Sequence, residues 1–333
     1  MTDRPLRIGF VGAGSIARAH LENLRQIEGV EVVGVTDAVP ENAARAARLY
    51  GGSVYPNPTA LYDQARPDAV FICIPPFAHG EPELEAVRRG IPLFIEKPLG
   101  VDIERPLAIA RAIEESGVLA AVDFHLRYTD SATKARELLS GRTVGFVQGW
   151  WVGGLPQTPW WRVMAQSGGQ VVEQAVHIVD LARFLVGEIV EVEARYARRA
   201  LTDVPNLDVP DVSIVHLTFA DGAPGTLIAS CLAGQGGPIG LDITCRDWTA
   251  EVRTDTLSVR EVGVTHQYRF RVPYWAWPHL QAARAFLEAV RTGQRDLIRS
   301  PYSDALKTQA VVIAANRSAQ LGRPVRVSEV LPG

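Results

Sequence analysis

The chain has 333 residues, with 34 Lys and Arg against 37 Asp and Glu, so its formal net charge is −3. Hydrophobic residues make up 47% and charged residues 21%, an ordinary globular composition that excludes collagen, coiled-coil and intrinsically disordered chains. The balanced charge, without blocks of Lys or Arg, argues against nucleic acid or an anionic membrane surface as the main partner. At about 150 residues per domain, the length predicts two domains.

Cysteine usage and the first residues indicate a cytoplasmic protein. Cys73, Cys231 and Cys245 are too few for a disulfide framework and show no CxxC spacing, so we expect buried, reduced thiols. Residues 1–5 lead directly into a predicted strand, which leaves no room for the apolar region of a signal peptide. No apolar run approaches the ~18 residues of a membrane span, so we expect no membrane partner.

Up to residue 124, short β-branched runs alternate with helical patterns. Strands are predicted at 7–11, 30–36, 53–55, 69–74, 93–96 and 119–124. Helices are predicted between them at 15–26, 41–50, 59–64, 83–89 and 105–115. Strands that are apolar on both faces and separated by helices indicate a parallel sheet covered on both sides. We therefore predict a doubly wound α/β domain at residues 1–125.

The remainder of the chain, residues 126–333, shows a different pattern. Apolar and polar residues alternate in three segments, 225–231, 239–245 and 265–272. Asp221-Gly222, between 215–219 and the first of these segments, indicates a hairpin connection. Helices are predicted at 131–140, 169–186, 279–291 and 303–321. Because alternation is typical of sheets with one polar face, we predict an α+β domain with a mostly antiparallel sheet.

The first predicted strand ends in a glycine-rich turn. Gly12 and Gly14, followed by Ala17, match the pattern G-x-G-x-x-G/A at a strand-to-helix turn, where backbone amides approach a pyrophosphate at the helix N-terminus. Asp37 ends the second strand, and a carboxylate there binds ribose hydroxyls and repels a 2′-phosphate. No Arg or Lys directly follows Asp37. The turn therefore predicts NAD in preference to NADP; the alternative is that these glycines only shape a turn.

Two further strand ends point to the same edge of the sheet, where open α/β sheets bind ligands. The strand at 69–74 runs into Pro75-Pro76 with His79 close behind, and the strand at 93–96 runs into Glu96-Lys97-Pro98. A lysine in that place can act on a substrate. The alternative is an ordinary solvated charge in a loop.

The second domain offers a complementary pair on a predicted helix. Glu173 and His177 lie at i and i+4 and therefore project from one face. The pair can be catalytic, a satisfied core pair, or part of a metal site. Only Asp180 lies near enough as a further ligand, so no metal is predicted.

Six of the seven Trp lie in three close pairs, 150/151, 160/161 and 275/277. Clustered aromatic side chains on loops suit the apolar face of a pyranose or cyclitol ring, although most Trp residues serve core or interface packing. Trp160 and Trp275 are the candidates for substrate contact.

With these residues together, the chain resembles the glucose–fructose oxidoreductase / inositol dehydrogenase (Gfo/Idh/MocA) family of NAD(P)-dependent enzymes over essentially its whole length. The resemblance rests on the glycine-rich turn, Pro75-Pro76 with His79, Glu96-Lys97-Pro98, Trp161-Arg162, Gly168-Gly169, and Glu173 with His177. It implies a Rossmann domain followed by an α+β domain whose large open sheet often forms the oligomer interface of a homodimer or homotetramer. It also implies a cis peptide bond between Lys97 and Pro98.

The resemblance further implies the role of each site residue. Lys97 hydrogen-bonds the reacting oxygen and relays its proton, and His177 is the general base or acid on that hydroxyl. Glu173 stands where the family commonly has Asp, and it either contacts substrate or orients Lys97 or His177. His125 stands where Asn is usual. The implied cofactor contacts are Gly12, Gly14, Ser15, Ile16, Asp37, Ile74, Pro75, His79, Glu96, Lys97, Arg127, Trp161 and Arg162.

These inferences predict hydride transfer between NAD and a hydroxyl of a sugar, polyol or cyclitol. One alternative is a glycosidase or lyase that uses NAD to oxidise the sugar transiently. Another is a non-catalytic dinucleotide-binding regulator, since a fold does not determine a function.

Overall fold

The computed structural model describes residues 4–331, so residues 1–3 and 332–333 of the predicted domain ranges lie outside it. The chain forms two compact units. The first joins the residues up to Leu99 with Glu104–His125 and Pro273–Asp304, and the second comprises Gly100–Ile103, Leu126–Val272 and the residues from Ala305 onward. The sequence assigned all of 126–333 to the second domain, whereas the segment Pro273–Asp304 belongs to the first unit.

The first unit is built on a six-stranded parallel sheet. Its strands are β1 (Leu6–Val11), β2 (Val30–Thr36), β3 (Ser53–Val54), β4 (Ala69–Ile72), β5 (Leu93–Ile95) and β6 (Ala120–Val122). Their order is β3-β2-β1-β4-β5-β6, the doubly wound Rossmann order, with the switch point between β1 and β4. The strands β4 and β5 are buried along their whole length, which explains their continuous apolar runs. The predicted fold class of this domain is confirmed.

The helices of the first unit follow the predicted positions closely. They are α1 (Ser15–Leu24), α2 (Pro40–Tyr50), α3 (Pro58–Ala60), which continues as a π-helical turn, α4 (Glu81–Arg88), α5 (Glu104–Ser116) and, later in the chain, α10 (Trp277–Thr292). The helix α10 contacts α1. Asn23 of α1 donates through its side-chain amide to the carbonyl of Ala276, the N-cap of α10, and accepts from the hydroxyl of Tyr274. These contacts tie α10 to the first unit.

The second unit contains a nine-stranded sheet in the order β14-β13-β12-β11-β7-β10-β9-β8-β15. Its strands are β7 (Val144–Val152), β8 (Ile189–Ala197), β9 (Val212–Phe219), β10 (Pro224–Ser230), β11 (Ile239–Cys245), β12 (Trp248–Val252), β13 (Thr256–Glu261), β14 (Val264–Arg269) and β15 (Val325–Arg326). Only the pair of β7 and β10 is parallel, so the mostly antiparallel sheet is confirmed. The predicted hairpin is also present, as β9 and β10.

Helices cover one face of this sheet. The helices α6 (Asp130–Leu139), α8 (Gly169–Glu173) and α9 (Val176–Leu185) contact its strands. The unit also contains α7 (Met164–Ser167) and, from Ala305 onward, α11 (Tyr302–Leu321). The helix α9 packs on β7 so closely that a Cβ built on Gly149 would lie 2.7 Å from Cγ2 of Ile178. The opposite face of the sheet carries the alternating polar residues and some apolar ones, among them the exposed Phe146 and Ile214.

Two local predictions in the second unit were wrong. Trp150 and Trp151 lie in the strand β7, not in a loop. The predicted helix at 169–186 is divided into α8 and α9, because the backbone N–H of Ala175 donates to Gln170, five residues back, and that of His177 to Gln174, three residues back. Glu173 and His177 are therefore not one turn apart on a regular helix.

Two of the features from which we predicted a cytoplasmic location, the cysteines and the apolar segments, can be compared with the structure. All three cysteines are buried and unpaired, as predicted. Across residues 4–331, every helix is too short or too polar to cross a membrane.

Candidate active site

The carboxyl ends of the central strands lie in a row. The parallel register pairs Val11 of β1 with Ile72 of β4, Ile72 with Ile95 of β5, and Ile95 with Val122 of β6. The residues that follow these ends are Gly12, Cys73, Glu96 and Asp123. The backbone N–H of each of the four donates to the last residue of the neighbouring strand, so the strand pairing continues for one residue beyond the sheet. The sheet therefore brings the glycine-rich turn to the same edge as the Glu96-Lys97-Pro98 segment.

The glycine-rich turn fits the requirements of a dinucleotide. Gly12 has φ +93°, and a Cβ at this position would lie 2.2 Å from the carbonyl oxygen of Cys73, so only glycine is possible. A Cβ on Gly14 would meet nothing within 4 Å. Gly14 is the N-cap of α1, with no side chain for the amides of the first turn, where acidic residues are also absent. The exposed Ser15 and half-buried Ile16 follow, so the positive end of the helix is open to an anion.

Asp37 joins the end of β2 to this turn. Its Oδ2 accepts a hydrogen bond from the backbone N–H of Ala13 at 2.7 Å, and its Oδ1 accepts from Val39 at 2.8 Å. The half-buried carboxylate keeps lone pairs for further donors, which fits the predicted contact with ribose hydroxyls. The residues that follow Asp37 carry no positive charge.

The predicted cofactor-contact residues that follow β4 differ in how deeply they are buried. Ile74 and Pro75 are half-buried, whereas His79 is buried, with Nδ1 2.5 Å from Oε1 of Glu83. The other oxygen of Glu83 accepts from the backbone N–H of Gly80 at 2.8 Å, at the start of α4. His79 thus anchors that helix, and within the described part of the chain its Nε2 has no hydrogen-bond partner.

At the end of β5, Glu96 and Lys97 have different surroundings. The peptide bond between Lys97 and Pro98 is cis, as the resemblance implied, and Lys97 is half-buried. Glu96 is buried, and its Oε1 lies 2.6 Å from Nε2 of His20, in α1. Glu96 is therefore part of the interior of the first unit.

Three further buried side chains join Glu96 in a cluster. Nε2 of His20 lies 3.5 Å from Oδ2 of Asp123, and the same oxygen lies 2.5 Å from Nδ1 of His279 in α10. We call His20, Glu96, Asp123 and His279 the His–carboxylate cluster. Burial alone would raise the pKa of Glu96, but the hydrogen bond from His20 and the charges of His20, His279 and Lys97 lower it to about 2. Burial raises the pKa of Asp123.

The four ligand-type atoms of the His–carboxylate cluster lie within 4.8 Å of one another, a spacing that admits a metal ion. The short pairs, at 2.5 and 2.6 Å, argue for hydrogen bonds. Two ligands on one tetrahedral zinc ion lie about 3.3 Å apart, since each metal–ligand bond is about 2.0–2.1 Å. The cluster is therefore a hydrogen-bonded network in this structure.

The sequence analysis missed three members of this cluster, His20, Asp123 and His279. Each stands among apolar residues: His20 on the buried face of α1, Asp123 directly after the buried strand β6, and His279 on the buried face of α10. Charged or titratable residues in such positions need partners, which is the signal that could have indicated them.

In the second unit, aromatic side chains hold the predicted catalytic pair. Nε1 of Trp161 donates to Oε2 of Glu173 at 2.8 Å, and the buried Trp161 packs in a core with Leu207, Val209 and Cys231. His177 is buried, and its ring stacks on Trp151 with ring centroids 5.6 Å apart and an interplanar angle of 22°. Trp161 thus holds Glu173 by a hydrogen bond, and Trp151 packs against His177.

The predicted cofactor residues Arg127 and Arg162 differ in exposure. Arg127 is buried and makes a two-bond ion pair with Asp180, with both distances 2.6 Å. Asp180 also accepts from the hydroxyl of Thr308 at 2.9 Å, so its carboxylate is bonded to both Arg127 and Thr308. Arg162 is half-buried and donates through Nη2 to Oε1 of Gln157 at 3.3 Å.

Known proteins resemble the chain over nearly its whole length. It is 24% identical to scyllo-inositol 2-dehydrogenase (NAD(+)) of Bacillus subtilis over 98% of this chain and 97% of that protein. An oxidoreductase from Agrobacterium radiobacter, solved with NAD+, L-tartaric acid and magnesium, has a TM-score of 0.87 at 20% identity and covers 98% of this chain and 99% of its own. Levoglucosan dehydrogenase, solved with NADH and L-sorbose, has a TM-score of 0.86 at 22% identity, with coverages of 97% and 99%.

Two family models match the chain in succession. Residues 6–124 match the oxidoreductase family with an NAD-binding Rossmann fold, and residues 134–251 match the GFO/IDH/MocA C-terminal domain. The two matches together cover more than half of the 333 residues. The chain therefore belongs to the Gfo/Idh/MocA family of oxidoreductases, with an NAD-binding Rossmann domain at its start.

Proposed function

We propose that the chain is a dehydrogenase that moves a hydride between NAD and a secondary hydroxyl of a cyclitol, sugar or polyol. The observation that supports this proposal is the row of strand ends at one edge of the parallel sheet. The glycine-rich turn follows β1, Asp37 follows β2, and Lys97 lies just beyond β5 at the same edge. Bound NAD supplies or accepts the hydride. The names of the relatives support a ring hydroxyl as the reacting group, because one acts on scyllo-inositol and another is a levoglucosan dehydrogenase.

The acid–base groups proposed for this reaction are Lys97 and His177. Lys97 hydrogen-bonds the reacting oxygen, and His177 takes the hydroxyl proton during oxidation or returns it during reduction. Glu173 is a positioning residue, since its carboxylate accepts from Trp161 and so keeps a fixed place near the start of α9. Trp160, which is half-buried, and Trp275, which is 68% exposed, stay candidates for contact with the sugar ring.

The test is NADH formation, followed by absorbance, with a panel of inositols, monosaccharides and glycosides. We expect turnover with at least one of them, and a loss of about 10²-fold or more in Lys97→Ala and in His177→Ala, with NADH binding unchanged in His177→Ala and still measurable in Lys97→Ala. His266→Ala, at an exposed position of β14, is the matched control and should keep wild-type turnover. Wild-type rates in both active-site variants would contradict the proposal, as would release of an aglycone without net NADH.

We also propose a homodimer or homotetramer that forms through the open face of the nine-stranded sheet. The register aligns Ile214 of β9, Ile228 of β10 and Trp150 of β7 in an apolar row across three strands, on the face opposite α9. Light scattering should give a mass of two or four chains, and Ile228→Lys should shift it toward one. Val264→Lys, at an exposed place in β14, is the control. A monomeric wild type would contradict this assembly.

We further propose a cytoplasmic location, which the three thiols support. Burial raises the pKa of Cys231 to about 11 and also raises that of Cys245, so both stay protonated and unreactive at neutral pH. Such thiols need no oxidising compartment. Fractionation of cells that produce the protein tests this location.

A further inference from the structure

The ring of His177 is buried against the indole of Trp151, within the second unit. The two ring centroids lie 5.6 Å apart and the ring planes meet at 22°, which is the geometry of an offset stack. His177 is 4% exposed, whereas Trp151 is half-buried. The imidazole that we propose as an acid–base group therefore has an aromatic ring, in place of water, on one side.

The packing of α9 on β7 brings these two rings together. Gly149 and Trp151 are two residues apart in β7 and therefore lie on the same face of the sheet. A Cβ on Gly149 would lie 2.7 Å from Cγ2 of Ile178, so this face is the one on which α9 packs. Because the glycine lets α9 approach the strand, His177, the residue before Ile178, reaches the ring of Trp151.

The position of His177 in α9 disfavours a positive charge on its ring. His177 is the second residue of α9, which begins at Val176 and has no acidic residue in its first turn. The aligned peptide dipoles place partial positive charge at a helix N-terminus, and this charge repels an imidazolium. The helix therefore favours the neutral imidazole, which is the form that can accept a proton.

Charged side chains stand on other elements around α9, but not on β7. Within the second unit, the helix packs mainly on β7, β11, α6 and α8. The nine residues of β7 carry no charge, and Asp242 of β11 alternates to the opposite face of the sheet, where Arg253 donates to it at 2.6 Å. Glu173 of α8 accepts from Trp161. The charged residues of α6 and α9 are Asp130, Lys134, Arg136, Glu137, Asp180 and Arg183. The side of His177 that faces β7 thus meets an uncharged π system.

We propose that Trp151 is a positioning residue for His177, whose indole fixes the plane of the imidazole and stabilises its protonated form. This inference rests on the proposed function of His177 as an acid–base group. A cation within about 6 Å of an indole centroid is attracted by the negative face of the ring, more strongly where water is excluded. The attraction arises only when His177 has taken the hydroxyl proton, as the hydride goes to NAD. Trp151 therefore favours the proton transfer of alcohol oxidation.

The first experiment measures the charge of His177 without a substrate. NMR of protein labelled at histidine follows the titration of each imidazole, and the signal of His177 is assigned by its loss in His177→Gln. In Trp151→Leu we expect the midpoint of the His177 titration to fall by about half a unit, while that of His266, exposed in β14, is unmoved. An unchanged or higher midpoint for His177 would overturn the proposal.

A milder change tests the same attraction with every side chain in place. Protein grown with 5-fluorotryptophan keeps indoles of nearly the same size, but fluorine weakens the negative face of each ring. The midpoint of the His177 titration should fall in the same direction as in Trp151→Leu, and by less. This measurement also decides the proposal if Trp151→Leu does not fold, because an unmoved His177 in the fluorinated protein would overturn it.

The second experiment measures the oxidation rate against pH. In Trp151→Leu, kcat should fall about tenfold with an unchanged KM for NAD, and the acid limb of kcat/KM should move to lower pH by the interval seen in the NMR titration. Trp151→Phe, which keeps an aromatic ring, should recover most of kcat. Tyr268→Leu, which removes an aromatic ring from β14, is the control and should keep the wild-type rate.

The two experiments separate this inference from the proposed function. A lower kcat in Trp151→Leu with an unmoved titration of His177 would overturn the inference in favour of a purely structural role for the indole. If the wild type oxidises no alcohol, the proposed function fails, whereas the NMR titration still decides whether Trp151 stabilises the protonated ring of His177.

Discussion

Two residues fix the shape of the glycine-rich turn from opposite sides. On one side Gly12 lies so close to the carbonyl of Cys73 that no side chain can be accommodated. On the other side Asp37 accepts the backbone N–H groups of Ala13 and Val39. A neutral hydrogen bond contributes about 1 kcal/mol, and a charged acceptor more, so Asp37 stabilises the turn before any cofactor arrives. The same carboxylate thus preorganises the turn, and we propose that it also selects NAD in preference to NADP.

This dual role makes Asp37→Ala informative. The variant loses both the acceptor for ribose hydroxyls and the repulsion of a 2′-phosphate, so we expect NADH binding about tenfold weaker and a smaller preference over NADPH. Fluorescence titration with each cofactor measures both affinities. Asp203→Ala, in an exposed loop of the second unit, is the control. A wild-type preference for NADPH would refute the role of Asp37.

At the scale of elements, the sequence predicted the strands of the first unit because they are short, apolar and buried on both faces. It did not predict β7, whose nine residues mix glycines, tryptophans and exposed positions without regular alternation. The division between α8 and α9 was also unpredictable, because no glycine or proline marks it; the break follows from the hydrogen bonds around Gln174 and Ala175. The contact of α10 with α1 was not predicted either, because it joins residues about 250 positions apart. The hydrogen bond from Asn23 to Ala276 is an example.

The contact between β7 and α9 gives a prediction of its own. Gly149→Val should destabilise the protein by about 1–3 kcal/mol, because the new side chain meets Ile178 and Leu227 at distances that require both to move. Thermal unfolding followed by circular dichroism should show a lower midpoint. Gly153→Ala is the matched control, since a Cβ there meets nothing within 4 Å. Equal midpoints for the two variants would mean that β7 and α9 are not in this contact.

At the scale of the whole molecule, the sequence predicted the parts of the candidate site that stand at or just beyond strand ends in a known motif, namely Gly12, Asp37 and Lys97. It could not locate the His–carboxylate cluster, because His20 and Glu96 are 76 residues apart and Asp123 and His279 are 156 apart. Only the register of β4, β5 and β6 brings Glu96 and Asp123 side by side. Buried polar networks of this kind depend on tertiary structure and leave no local pattern.

The depressed pKa of Glu96 predicts how the stability of the molecule responds to acid. In the folded state this pKa is about 2, against 4.5 for the free side chain, so ionised Glu96 stabilises the fold above about pH 4.5 and its contribution is lost as the pH falls toward 2. The shift corresponds to roughly 3 kcal/mol. Glu96→Gln should therefore be less stable than the wild type at pH 5.5 and should lose less stability between pH 5.5 and pH 3.5.

Urea unfolding followed by circular dichroism at the two pH values measures this difference. Glu288→Gln, at an exposed position of α10, is the matched control and should follow the wild type at both. If Glu96→Gln lost stability in acid as steeply as the wild type, the His–carboxylate cluster would not hold Glu96 ionised. Because the cluster connects α1, α10 and the ends of β5 and β6, its protonation in acid should weaken the first unit as a whole.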